Sequence, residues 1–174
     1  LKDMSTISKS AYNPEMFRRA LIKKYHTFAN YGQHDSQEVV GAILDGLHED
    51  LNKSPGANGK PLPKNAFLSP PELYKYKNQS IIVDLFNGFF CSSIVCPECN
   101  GSSSIEEPFM VLSLPVPRRS YKPVALEECL NLFQQEQVLD SNNMWRCPNC
   151  NQMVRARNKI FIKKTPQILI IHLK

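Results

Sequence analysis

Apolar and polar positions follow two different rhythms along this chain. In 33–52, Val39, Val40, Ile43, Leu44, Leu47 and Leu51 recur at steps of three and four, which predicts a helix with one apolar face. Asp35 followed by Glu38 is a capping-box start for it. Upstream, Asn13-Pro14-Glu15 supplies an N-cap, a proline at the first helical position and an acidic first turn. Met16, Phe17, Ala20 and Leu21 follow at helical spacing, so 14–25 is expected to be a helix. Residues 1–12 are polar and aperiodic and read as a loop. The segment 53–71 is rich in Pro, Gly and polar residues and is expected to be a long surface loop. Beyond it the rhythm changes to strands. Ile81–Phe86 and Phe89–Val95 flank Asn87-Gly88, a hairpin-turn signal. Phe109–Val116, Lys159–Ile162 and Gln167–Leu173 are further extended runs. Val124–Phe133 returns to helix, with Leu126, Leu130 and Phe133 on one face. Helices first, then strands with one helix inserted, predict an α+β arrangement.

The chain has 174 residues, 42% of them hydrophobic, which excludes a disordered polymer and suits a single packed core. No apolar run approaches the ~20 residues that cross a bilayer, so a membrane is not an expected partner. The first residue is Leu1 and no apolar signal-peptide region follows it; an excised piece of a soluble protein is expected. Net charge is +5, but it is unevenly placed. Segment 33–52 carries five acids and no Lys or Arg, whereas 1–32 carries six bases and two acids. Segment 141–174 carries seven bases and no acid. A basic arm could bind nucleic acid, but only Trp145 and Phe161 are interleaved with it, so a solvated strand face is the preferred reading.

Four of the six cysteines form two matched knuckles, Cys96-Pro97-Glu98-Cys99 and Cys147-Pro148-Asn149-Cys150, each followed by Asn. Two residues between thiolates let both sulfurs meet one ion, and two such pairs complete a tetrahedral four-sulfur shell. One structural Zn²⁺ per chain is therefore expected at Cys96, Cys99, Cys147 and Cys150. A redox pair is the weaker alternative, because matched knuckles suit one closed shell, and such a shell has no open position for catalysis. The 47 residues between the knuckles mean that the site joins two distant hairpins. Paired cysteines without secretory features imply a reducing compartment, cytoplasm or nucleus. Cys91 and Cys129 read as small buried apolar residues.

The stretch from Tyr31-Gly32-Gln33-His34-Asp35-Ser36-Gln37-Glu38 to Leu47-His48-Glu49-Asp50-Leu51 resembles the central box of the ubiquitin-specific proteases. Ile82–Gly88, Glu107-Pro108-Phe109 with Leu112–Pro117, Leu126–Leu130, Trp145-Arg146-Cys147 and Pro166–Lys174 are similar to later family segments, in the same order. The resemblance implies a papain-like cysteine-protease hand: thumb helices in 13–52, a loop or insert in 53–80, and fingers and palm with a zinc ribbon in 81–174. It implies a partner, ubiquitin or ubiquitinated proteins, and a reaction, hydrolysis after the C-terminal glycine of ubiquitin by a Cys nucleophile with a His base. It also implies that Gln33, Asp35, Glu38 and His34 line the groove for ubiquitin's basic tail.

The family's nucleophile box and its Gly-His-Tyr motif have no counterpart among these residues, so no residue is assigned as catalytic. The 174 residues are expected to be the middle of a catalytic domain of a cysteine-type deubiquitinase. A catalytically inactive ubiquitin-binding module or scaffold on the same fold is the alternative.

Overall fold

The computed structural model describes residues 13–30, 32–55, 68–118 and 122–174. Tyr31 and the expected loop residues 1–12 and 56–67 lie outside the described residues. The chain divides into two compact units, 1–47 and 48–174.

The first unit holds helix α1 (Glu15–Lys24), a 3₁₀ turn (His26–Ala29) and most of α2 (Ser36–Leu51). The Asn13 side chain accepts the Glu15 N–H at 3.0 Å just before α1, but Pro14, expected as the first helical residue, takes the cap position itself, and no side chain caps the helix. The 3₁₀ turn drives Phe28 inward, and His34 meets its ring edge-on with centroids 5.2 Å apart. Helix α2 begins where the Asp35 carboxylate accepts the Gln37 N–H at 2.8 Å. Its apolar stripe is only partly covered. Ala42 and Leu44 are buried, whereas Val40, Leu47 and Leu51 are exposed.

The second unit begins with the end of α2. Helix α3 (Pro70–Lys77) lies inside the segment expected to be loop or insert. Ser69 explains it: its N–H and hydroxyl both donate to Glu72, at 2.8 and 2.7 Å, and Pro70 supplies the first turn. Those bonds hold the Glu72 carboxyl below the usual range.

Helix α4 (Ile81–Phe86) corrects the strand expected there. Ser80 caps it by accepting the Val83 N–H at 3.3 Å, and Asn87 closes it by donating its N–H to Val83 O. Asn87-Gly88 is thus a helix-to-strand junction and not a hairpin turn. A Cβ on Gly88 would lie 2.5 Å from the Phe109 ring and 2.7 Å from the Lys164 carbonyl. Glycine is needed there for close approach of neighbouring strands.

Strand β1 (Gly88–Val95) runs antiparallel to β2 (Ser102–Phe109) and to β7 (Arg157–Lys164), and β4 (Gln137–Val138) extends the sheet beyond β7. The β1–β2 hairpin turns at the first cysteine knuckle. Strands β5 (Trp145–Arg146) and β6 (Met153–Val154) form a second hairpin around the other knuckle. Strand β3 (Val111–Leu114) pairs in parallel with β8 (Ile170–Leu173). Helix α5 (Leu126–Phe133) packs on β3. Phe109, Leu112, Leu114 and Cys129 form the core between α5 and the strands, with Phe90, Phe133, Ile162 and Ile171 around them. The result is the expected mixture of helix and antiparallel sheet.

Candidate functional site

Both knuckles close in the same way. Cys96 N–H donates to Gly101 O at 2.8 Å and Asn100 N–H to Cys96 O at 3.0 Å. In the second knuckle, Cys147 N–H donates to Gln152 O at 2.9 Å and Asn151 N–H to Cys147 O at 2.8 Å. Asn100 and Asn151 follow their knuckles with φ of 56° and 58°, a left-handed turn that asparagine tolerates. The repeated Cys-Pro-x-Cys-Asn is therefore one backbone device used twice.

The fold brings all four sulfurs within 4.8 Å of one another. Cys96 Sγ lies 3.8 Å from Cys150 Sγ, and Cys99 Sγ 3.6 Å from Cys147 Sγ. A tetrahedral shell with Zn–S bonds of about 2.3 Å places its sulfurs about 3.8 Å apart, so the spacing fits that ion. Cys96 and Cys147 are fully buried, and Cys99 and Cys150 reach partway to solvent. Val154 and Ala156 are buried against the cluster, and Ile94, Leu139 and Trp145 pack around it. The four cysteines can hold a metal ion.

The sulfurs are electrostatically unequal. The Asn149 amide and then the Gly101 N–H stabilise the Cys99 thiolate, bringing its pKa down to about 6. The Gln152 N–H opposes the shift at Cys150, but burial and the three neighbouring sulfurs push that thiol up to about 12. Four thiols so close together cannot all ionise unaided. A cation is what lets them do so.

Gln33, His34, Asp35 and Glu38 lie in sequence at the entry to α2, in the first unit. Gln33, Asp35 and Glu38 are exposed and His34 is half-buried. His34 Nε2 meets Asn30 Oδ1 at 2.8 Å. One Asp35 oxygen caps α2 through Gln37.

Cys91 and Cys129 are buried, as expected. His48, partly exposed, joins two segments. Its Nε2 lies 3.0 Å from Asn78 Oδ1 and its Nδ1 lies 2.7 Å from Ser80 Oγ. Asn78 Nδ2 donates to Tyr74 O at 2.9 Å, which turns Oδ1 toward the imidazole. An amide oxygen only accepts, so Nε2 donates to it, and in the neutral imidazole Nδ1 accepts from Ser80. His48 thus supports the residue that caps α4. Asn149 was also missed. Its signal was in the sequence: the two knuckles differ at Glu98 and Asn149.

Two hairpins that bring four thiols together on a mixed α+β scaffold define a ribbon-bearing domain with a closed sulfur centre. The family follows from comparison. All of residues 1–174 match the family model described as ubiquitin carboxyl-terminal hydrolase, and the chain belongs to that family. Ubiquitin carboxyl-terminal hydrolase 2 of Rattus norvegicus is 35% identical over 170 residues, spanning 93% of this chain and 27% of the relative. Ubiquitin carboxyl-terminal hydrolase 21 of Homo sapiens is 35% identical over 191 residues, spanning 95% and 34%. The SAGA Ubp8/Sgf11/Sus1/Sgf73 DUB module bound to ubiquitin aldehyde contains a chain similar to this one at TM-score 0.60 and 28% identity, covering 90% of this chain and 30% of that one. The module bound to monoubiquitin gives TM-score 0.63 at 28% identity, covering 91% and 31%. The chain thus spans 27% and 34% of the lengths of the two curated relatives.

Proposed function

We propose that these 174 residues are the ubiquitin-holding part of a deubiquitinating cysteine hydrolase that cleaves after the C-terminal glycine of ubiquitin. The observation that carries this reading is the family match across all 174 residues. Likeness to chains in modules bound to ubiquitin aldehyde and to monoubiquitin supports it. On this reading 13–52 is thumb, 53–80 an insert and 81–174 fingers and palm. One Zn²⁺ sits on Cys96, Cys99, Cys147 and Cys150. Its chemistry is a closed cross-link between hairpins, with no position left for substrate. The chain's own residues hold the hairpins in place around it.

No residue here is assigned as nucleophile or base. Four cysteines belong to the sulfur cluster, and Cys91 and Cys129 are buried. His48 is taken up by Ser80 and Asn78, and His34 by Asn30. The 174-residue polypeptide is therefore expected to bind ubiquitin without hydrolysing a fluorogenic ubiquitin substrate. Turnover that disappears on substitution of one of its own cysteines, with the fold intact, would refute that assignment. Binding without turnover even when the chain sits in its longest natural polypeptide would favour the inactive module on the same fold.

Gln33, His34, Asp35 and Glu38 are proposed to meet ubiquitin's basic tail. Asp35 carries the clearest test, because its carboxylate has the charge to pair with the guanidinium groups of a basic tail. A hydrogen bond to a charged group contributes ~1.5–3 kcal/mol. Asp35→Ala should weaken ubiquitin binding by about tenfold or more. Asp35→Asn keeps an oxygen for the α2 cap and removes the charge. It should lose similar affinity with an unchanged melting temperature. Calorimetric titration showing native affinity for Asp35→Asn would overturn the role.

A further inference from the structure

We infer that Asn149 is a positioning residue of the sulfur centre: its side-chain amide crosses from one knuckle to the other and holds the Cys99 sulfur in the tetrad. This rests on the reading of the four cysteines as a metal site.

The two knuckles share their backbone hydrogen bonds and their left-handed asparagines. They differ in the residue between Pro and the second Cys, and in the residue two places after that Cys. These are Glu98 and Gly101 in one knuckle, Asn149 and Gln152 in the other. Asn149 Nδ2 donates to Cys99 Sγ at 3.3 Å, and Gly101 N–H donates to it at 3.4 Å. The Gln152 N–H serves Cys150 as the Gly101 N–H serves Cys99, so the side-chain amide is what sets the two sulfurs apart. A Cβ on residue 101 would stand 3.0 Å from Asn149 Cβ and 3.2 Å from Cys99 Sγ. The missing side chain at Gly101 leaves the space in which the amide crosses. On the opposite side Gln152 keeps its side chain, and an ionised Glu98 has no hydrogen to donate to a sulfur.

Outer donors of this kind orient a ligand and disperse its charge. In the metal-loaded centre all four sulfurs are thiolates, and an N–H that occupies a sulfur lone pair limits that sulfur's attack on electrophiles. Cys96 and Cys147 are buried, so Cys99 and Cys150 are the two sulfurs a reagent can reach. Of these, Cys99 has the cross-knuckle amide and Cys150 does not. Cys150 is therefore the sulfur by which the centre opens, and Asn149 keeps Cys99 from sharing that role.

The test uses the whole 174-residue chain loaded with Zn²⁺. Metal release into excess chromogenic chelator is timed, and alkylation by iodoacetamide is mapped by mass spectrometry. The wild type should be alkylated at Cys150 before Cys99. Asn149→Ala should lower metal affinity about 10–100-fold, the range for losing an outer-shell partner, and bring Cys99 up to the alkylation rate of Cys150. Asn149→Asp, which keeps the side-chain shape, should do the same. Glu98→Ala, at the equivalent position of the other knuckle, should change neither reading. Unchanged release in both Asn149 variants would overturn the assignment. So would equal acceleration at all four sulfurs, which marks general loosening, or an equally large effect of Glu98→Ala. A wild type that takes up no metal would overturn the metal reading and this assignment with it. Metal held equally well without the Asn149 amide would overturn the assignment alone.

Discussion

Cys147→Ser should strip the metal from the chain and loosen the two hairpins while leaving the helices of the first unit folded. Cys147 is fully buried, and its sulfur lies 3.6 Å from that of Cys99. Serine presents a neutral, hard oxygen where a thiolate is required. The loss should exceed the ~10–100-fold that an outer-shell partner is worth. An ion present at 100 times its dissociation constant stabilises the state that binds it by ~2.7 kcal/mol. Losing that amount shifts the midpoint of a chain this size by roughly 5–10 °C. The distance between the knuckles in sequence makes the effect large. Without the ion, short β5 and β6 retain little besides the packing of Val154, Ala156 and Trp145. Ubiquitin affinity should fall further than helix content does. Elemental analysis and calorimetry on freshly reduced protein would check both, and a variant retaining one equivalent of metal at the native melting temperature would refute the expectation. Acid should act in the same direction. Protons compete with the ion for thiolates, so the stabilisation present near neutral pH is lost as pH falls.

Leu114→Ala should cost about 2–5 kcal/mol, the range for a buried leucine whose cavity closes incompletely. Leu114 has no exposed surface and Leu112 has 1%. Both lie on β3, with β8 beside it and α5 packed on it. Phe109, Leu112 and Cys129 are buried around Leu114 and are themselves held in place, so a cavity there closes incompletely. The cores around Leu114 and around the sulfur cluster share no packing residue. The costs of Leu114→Ala and Cys147→Ser should therefore add in the double variant. Urea titration of the four proteins would measure this, and a cost for Leu114→Ala below ~1 kcal/mol would show that the site collapses.

The features legible in advance were those whose signal is local or repeated. The 3.6-residue period of α2, the turn at Asn13, the cap at Asp35, and the matched cysteine knuckles all act within a few residues. Ile81–Phe86 was misread for a definite reason. A short apolar run suits a buried strand or one turn and a half of helix equally well. The choice fell to the Ser80 hydroxyl, held from 32 residues away by His48. Periodicity likewise identifies the apolar face of α2 without saying what covers it.

The amino-acid sequence by itself determined the class of the protein: an α+β chain with two metal knuckles and the collinear motifs of its family. Those traits depend on residue type and spacing, which a linear chain carries in full. Tertiary structure alone decided that Asn87-Gly88 joins a helix to a strand, that Gly88 admits the Phe109 ring, and that Asn149 reaches Cys99 across 50 residues. Each of these depends on a contact between segments distant in sequence, for the helix that of His48 with Ser80. Hydrogen bonds and close packing act over a few ångströms, so such contacts exist only once folding has brought the partners together.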